Sequence, residues 1–134
     1  MSQQLKVYPA TPNQGTIDRF MNYELVFYTR TSGCPFVTLA KRVLNDYGVS
    51  YHEIFIDDDD TARSRVLEWT GFLSVPTIVV AEAGEVLPIT IPEPLPRGAS
   101  PRGIDRGYMI TEPGSEELLY FLLRHKFIAE IVRD

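Results

Sequence analysis

The chain has 134 residues, of which eighteen are acidic, thirteen basic and one a cysteine, with a formal net charge of -5 and 44% hydrophobic content. That length can bury a core of its own as one globular domain, and a single cysteine excludes a disulfide-framed secreted module. The acidic balance lacks the clustered Lys and Arg that nucleic-acid phosphates require, and no apolar run approaches the roughly 20 residues of a membrane span.

The polar start MSQQLKVYPATPNQG has no apolar signal-peptide core, so the expectation is a cytoplasmic protein. Residues 1–20, with Pro9, Pro12 and Gly15, read as a turn-rich arm ahead of a domain over 21–134. ELVFY at 24–28 has the short aromatic and β-branched character of a buried strand. TRTSG breaks it. A helix then spans about 34–47, with Pro35 at the first helical position and Gly48 placed to end it in a left-handed conformation.

YHEIFI at 51–56 is the second strand, and Asp57 to Asp60 supply N-cap candidates for a second helix. Ala62, Val66 and Trp69 recur on one face of it and Gly71 stops it. VPTIVV at 75–80 is a third, fully buried strand. The order strand, helix, strand is a βαβ unit with parallel strands, so the domain is α/β.

From about 83 to 107 the composition changes, with Pro88, Pro92, Pro94, Pro96 and Pro101 and four glycines resisting helix and central strand alike. Residues 86–91 suggest a short edge strand before this loop, and YMIT at 108–111 a strand after it. Ser115 is the expected N-cap of a last helix whose buried stripe is Leu118, Leu119, Leu122 and Leu123.

Cys34 is the chemical focus. It stands after the first strand and before Pro35, where free backbone N–H groups and the helix dipole stabilise a thiolate. The bland alternative is a small buried hydrophobe. Context favours the nucleophile: LVFYTRTSGCPFVTLAKRVLNDYGVSYHEIFI followed by LSVPTIVV, and more loosely EPGSEELLYFL, resembles the glutaredoxin family of the thioredoxin superfamily. Cys34-Pro35-Phe36-Val37 occupies the place of that family's active tetrapeptide, and Val75-Pro76 that of its cis-proline pair.

The resemblance implies a thioredoxin-like fold, a mixed four-stranded sheet with flanking helices. It implies an oxidoreductase active in thiol–disulfide exchange, with glutathione as co-substrate, glutathionylated or disulfide-bearing proteins as partners, a place in cell redox homeostasis and no metal. Cys34 is then the catalytic sulfur. Val75 and Pro76 present backbone to the cysteinyl part of glutathione beside Pro35 and Phe36. Gly114 and Ser115 hold its γ-glutamyl carboxylate at a helix N-terminus, and Arg30 holds a carboxylate through two parallel hydrogen bonds.

This sequence departs from the pattern at four places. Val37 replaces a second cysteine, so turnover through Cys34 is monothiol. Three residues, not two, separate Arg30 from Cys34. Glu112-Pro113 replaces a double glycine, with Glu116 where the family has Asp, and the Pro-rich insertion is additional.

Rival readings are a non-catalytic thioredoxin-fold binding module and a [2Fe-2S] cluster carrier, the latter disfavoured by a proline after the cysteine. Cys-Pro-Phe-Val is also similar to the opening of omega-type glutathione transferases, whose helical second domain is not expected in 134 residues. Asp57 to Asp60 lacks the alternating ligands of a calcium loop, and His52 and His125 have no second ligand in spacing. Arg97, Arg102 and Arg106 make the insertion either a solvated loop or a lid or protein-docking surface beside the active site.

Overall fold

Leu25, Val26, Phe27 and Tyr28 are all fully buried, so β1 (Tyr23–Thr29) has apolar cover on both faces and no polar alternation. A computed structural model describes residues 22–132; the arm over 1–20 lies outside the described residues. The chain leaves β1 for α1 (Pro35–Asp46) and returns as β2 (Tyr51–Phe55), parallel to β1, with Leu25 opposite Tyr51 and Thr29 opposite Phe55. Gly48, with φ of 67°, makes the turn after α1 in the left-handed conformation expected of it.

α2 (Asp60–Thr70) is capped by Asp59, whose carboxylate accepts the Ala62 N–H at 3.0 Å, and it stops at Gly71 with φ of 79°. β3 (Thr77–Glu82) then pairs antiparallel with the other side of β1, with Tyr28 opposite Thr77. Successive β1 residues point to opposite faces. Phe27 lies under Lys41 of α1, its centroid 6.0 Å from Nζ, and Tyr28 meets Trp69 of α2 edge-on at 5.4 Å, so α1 and α2 cover opposite faces. α3 (Ser115–Arg124) packs beside α1.

The sheet order is β2-β1-β3-β5-β4, with β4 (Ile104–Asp105) and β5 (Met109–Thr111) successive antiparallel neighbours beyond β3. This is the expected thioredoxin-like arrangement of a βαβ half followed by an antiparallel pair and a closing helix, extended by one strand. The fifth strand comes from the end of the insertion, where two residues between Gly103 and Arg106 reach β5. Residues 86–91 do not form an edge strand. With Pro88 unable to donate, the segment is tied instead by the Ile89 N–H to the Val80 carbonyl at 3.0 Å and by the Tyr28 hydroxyl to the Val86 carbonyl.

Other boundaries shift by a residue or two. The third strand begins at Thr77 because Val75 and Pro76 belong to the turn before it, and Gly114, not Ser115, is the N-cap of α3. Phe121 joins Leu118, Leu119 and Leu122 in the buried stripe, while Leu123 is only half-buried. No described helix is long and apolar enough to cross a membrane.

The insertion is fastened to this frame. Arg124 makes two 2.8 Å hydrogen bonds to the Asp105 carboxylate, His125 Nε2 lies 2.6 Å from the Gly107 carbonyl, and Arg106 donates to the Glu93 carbonyl at 3.1 Å. His125 also packs against Tyr108 and Phe121; it is a packing residue at the helix end, and His52 is exposed on β2.

Trp69→Ala removes a ring that is 5% exposed and braces Tyr28. It is expected to lower stability by about 3–5 kcal/mol, read from the urea midpoint. Burial pushes His125 below the ordinary histidine value of 6.5, against an opposing contribution from the Gly107 carbonyl. Below that ordinary value the unfolded chain binds the proton more readily than the folded one, so stability falls as pH drops from about 6.5 toward the lower folded value. His125→Asn should flatten this loss in urea titrations between about pH 7.5 and about pH 5.5.

Candidate thiol site

Pro35 has no N–H to offer, and the Cys34 side chain makes no capping hydrogen bond although Cys34 is the N-cap of α1. Its backbone is extended (φ −151°, ψ 131°), and its carbonyl accepts the Thr38 N–H at 3.0 Å to close the first helical turn. The half-exposed thiol is therefore free to face across the sheet end, where Sγ lies 3.8 Å from the Val75 carbonyl. Val37, at the place of the family's second sulfur, is 7% exposed and belongs to the core.

The Val75-Pro76 bond is cis, and Val75 is 2% exposed. Its turn is pinned on both sides: the Thr77 hydroxyl donates to the Ser74 carbonyl at 2.9 Å, and the Glu112 N–H donates to the Pro76 carbonyl at 2.8 Å. Thr77 and Thr111 hydroxyl oxygens sit 3.4 Å apart, joining the starts of β3 and α3's lead-in.

Not every expected residue converges on this point. Arg30 is exposed, and its positive charge acts on Asp57; among the described contacts none joins it to Cys34 or Val75. Asp57, a helix-cap candidate by sequence, does not cap α2, where Asp59 takes that place. Asp57 instead accepts the Thr31 N–H, at 3.2 Å to one oxygen, and the Thr31 hydroxyl, which steadies the loop leading to Cys34. Those Thr31 bonds, with a smaller contribution from Arg30, hold its carboxyl below the usual carboxylate range.

Gly114 caps α3 as a glycine, and its N–H donates to the Glu117 carboxylate at 2.6 Å. The same carboxylate would stand 3.0 Å from a Cβ placed on Gly103, so Glu117 fills the space between the insertion and the helix start. A ligand carboxylate at Gly114 would have to replace Glu117 or bind beside it. Ser115, half-buried, is the first residue of the helix proper.

Two residues that meet near the first turn of α1 have no role assigned from the sequence. The Arg102 guanidinium lies 4.9 Å from the centroid of Phe36, two residues past Cys34, and its Nε donates to Glu112 Oε1 at 3.2 Å. Glu112 has φ of 45°, the left-handed conformation that a glycine adopts without cost. The arginine content of the insertion was the one signal of Arg102, but nothing local chose it over Arg106, which anchors the loop, or Arg97, which is exposed.

With a lone thiol facing the carbonyl before a cis-proline, the match to known families becomes decisive. Residues 25–84 fit the glutaredoxin family model. Over that segment, a little under half of its length, the chain carries a glutaredoxin-like domain. The matched glutaredoxin segment contains Cys34, α1, α2 and Val75-Pro76, and it assigns the domain to thioredoxin-fold redox chemistry in general. The insertion beyond Gly84, β4, β5 and α3 follow the matched segment. A search of curated proteins finds no match.

Glu117→Ala frees the Gly114 N–H and removes a negative charge from the first turn of α3. It is expected to lower stability by about 0.3–1 kcal/mol, measured by urea unfolding. An unchanged midpoint would show that this carboxylate contributes nothing to the helix start.

Proposed function

We propose that this chain, similar to glutaredoxins over residues 25–84, is a glutathione-dependent thiol–disulfide oxidoreductase that works by a monothiol route through Cys34. The observation that carries the reading is Sγ at the start of α1, half-exposed and 3.8 Å from the carbonyl of Val75, with the buried Val37 where a second sulfur would stand. With one cysteine in the chain, no internal disulfide can resolve an intermediate.

In the first step the Cys34 thiolate attacks the glutathione sulfur of a glutathionylated protein. The protein–glutathione S–S bond breaks, a Cys34–glutathione S–S bond forms, and the protein leaves as a thiolate that takes up a proton. A second glutathione, as thiolate, then attacks the glutathione sulfur of that adduct. Cys34 leaves as thiolate and oxidised glutathione departs, so the two electrons delivered to the protein disulfide come from two glutathiones.

The roles proposed for the surrounding residues follow from position. The Val75 backbone, fixed by the bonds at Ser74 and Pro76, pairs with the cysteinyl part of glutathione, and Pro35 and Phe36 border the sulfur. Gly114 and Ser115 receive the γ-glutamyl carboxylate in exchange for Glu117, and Arg30 serves a carboxylate from the exposed loop. The rival, a binding module without turnover, draws its support from that same Glu117, which already satisfies the Gly114 amide.

Incubation with oxidised glutathione followed by intact-mass measurement is expected to show one glutathione added at Cys34. Turnover on a glutathionylated peptide should fall to the uncatalysed rate in Cys34→Ser. Full activity in that variant, or no adduct on the native chain, would overturn the proposal.

A further inference from the structure

We propose that Arg102 makes the thiol site selective for disulfides that carry a carboxylate near the sulfur, so that the insertion supplies a specificity residue to Cys34. This rests on the thiol-exchange reading above and adds a determinant from outside the matched segment of residues 25–84.

Arg102 is tied to both sides of the thiol contact. Through its guanidinium it lies on Phe36, in the same helical turn as Cys34; through Nε it bonds Glu112, whose own N–H is held by the Pro76 carbonyl. Cys34 and Val75 are thus flanked by the two groups that Arg102 joins. Among the described residues it is the basic side chain that touches the first turn of α1, whereas Arg30 acts on Asp57.

Its backbone is fixed as well. Pro101 before it is buried, and Gly103 after it, with φ of 74°, donates its N–H to the Thr111 carbonyl at 2.8 Å. The side chain nevertheless remains 66% exposed, and Nε is the nitrogen that Glu112 occupies. Both terminal nitrogens are left without a hydrogen-bond acceptor among the described contacts. A guanidinium placed over an aromatic ring, held at one nitrogen and open at the other two, presents a preorganised fork to a carboxylate arriving from solvent. Contact with the Phe36 ring, 4.9 Å from Cζ to its centroid, restricts the side chain before any ligand arrives.

The purpose of a fixed cation here follows from the charge around it. The chain is acidic overall, with Glu112 ahead of α3 and Glu116 and Glu117 in its first turn. An anionic disulfide approaching Cys34 meets repulsion from those carboxylates unless a cation offsets it. Arg102 is placed to do so.

The test compares two disulfide probes on the full chain: oxidised glutathione, which carries carboxylates, and bis(2-hydroxyethyl) disulfide, which is neutral. In each case the Cys34 thiolate attacks one sulfur, the probe's S–S bond breaks, and the other half leaves as thiolate, so the rate of adduct formation by mass spectrometry is the readout. Arg102→Ala is expected to slow the reaction with oxidised glutathione by about fivefold to tenfold and leave the neutral probe unchanged. Arg102→Lys, keeping the charge without the fork, should recover part of the loss.

Equal slowing of both probes by Arg102→Ala, which a merely structural role would produce, or slowing of neither, would overturn the Arg102 proposal while leaving the exchange reading intact. Native protein that forms no adduct with oxidised glutathione would overturn the exchange reading itself, and this one with it.

Discussion

The antiparallel register of β1 on β3, with Tyr28 opposite Thr77, is the constraint on which the site depends. It brings the end of one strand beside the beginning of the other, so the loop that follows Thr29 and the turn that precedes Thr77 meet at one end of the sheet. Cys34 lies just beyond the first and Val75 just before the second. A slip of one residue would turn every β1 side chain to the opposite face, exchanging the Phe27 contact with α1 for the Tyr28 contact with α2. Because Leu25 through Tyr28 are fully buried against cover on both sides, that slip is excluded by the core itself. The 3.8 Å approach of thiol and carbonyl is thus maintained by packing well away from the sulfur.

The insertion uses the same sheet end. Its five prolines forgo backbone donors, so it cannot be secured by a ladder of its own. It is held instead by discrete bonds: the two-residue β4 on β5, the Arg124 fork on Asp105, the His125 contact with Gly107, and Arg106 reaching back to Glu93. All but the last fasten its C-terminal part, from Gly103 onward, to β5 and α3. Arg102 immediately precedes that fastened part, which is why its side chain has a defined partner on α1 even though it is largely exposed.

What could be read from the sequence was what local chemistry decides. Cys34 before Pro35, the left-handed glycines at 48 and 71, the aspartate cap among residues 57–60 and the uninterrupted apolar strands each depend on neighbours a few residues away. The thioredoxin-like fold followed from them and from the glutaredoxin resemblance. What escaped involves partners far apart in the chain. Asp57 looked like a cap because its true partner, Thr31, belongs to another loop; β4 is two residues long and exists only because β5 is beside it. Likewise, Glu112 looked like a simple loss of glycine, and its pairing with Arg102 depends on how the insertion folds back. Ser115 was a better cap than Gly114 by side-chain chemistry alone, but Gly114 takes the cap position and Glu117, at the third helical position, reaches back to accept its N–H.

If Arg102 and Gly114 receive carboxylates as proposed, the internal carboxylates of this site are what keep both groups ready in an acidic protein. Glu112 occupies part of the Arg102 fork and Glu117 occupies the Gly114 amide, so each recognising group already holds an internal carboxylate. For any carboxylate ligand, binding at either place is an exchange of one anion for another and not the filling of an open position. Both pairs have solvent access. An exposed pair of this kind contributes roughly 1 kcal/mol at most, so displacing it costs about fivefold in affinity or less. In return the guanidinium and the helix start stay ordered in the absence of ligand, which removes part of the entropic cost of ordering them on binding. The two effects oppose each other and are of similar size. On that proposal the internal carboxylates would weaken anion binding only modestly, while the position of Arg102 over Phe36 and of Gly114 at the start of α3 is set by contacts within the chain.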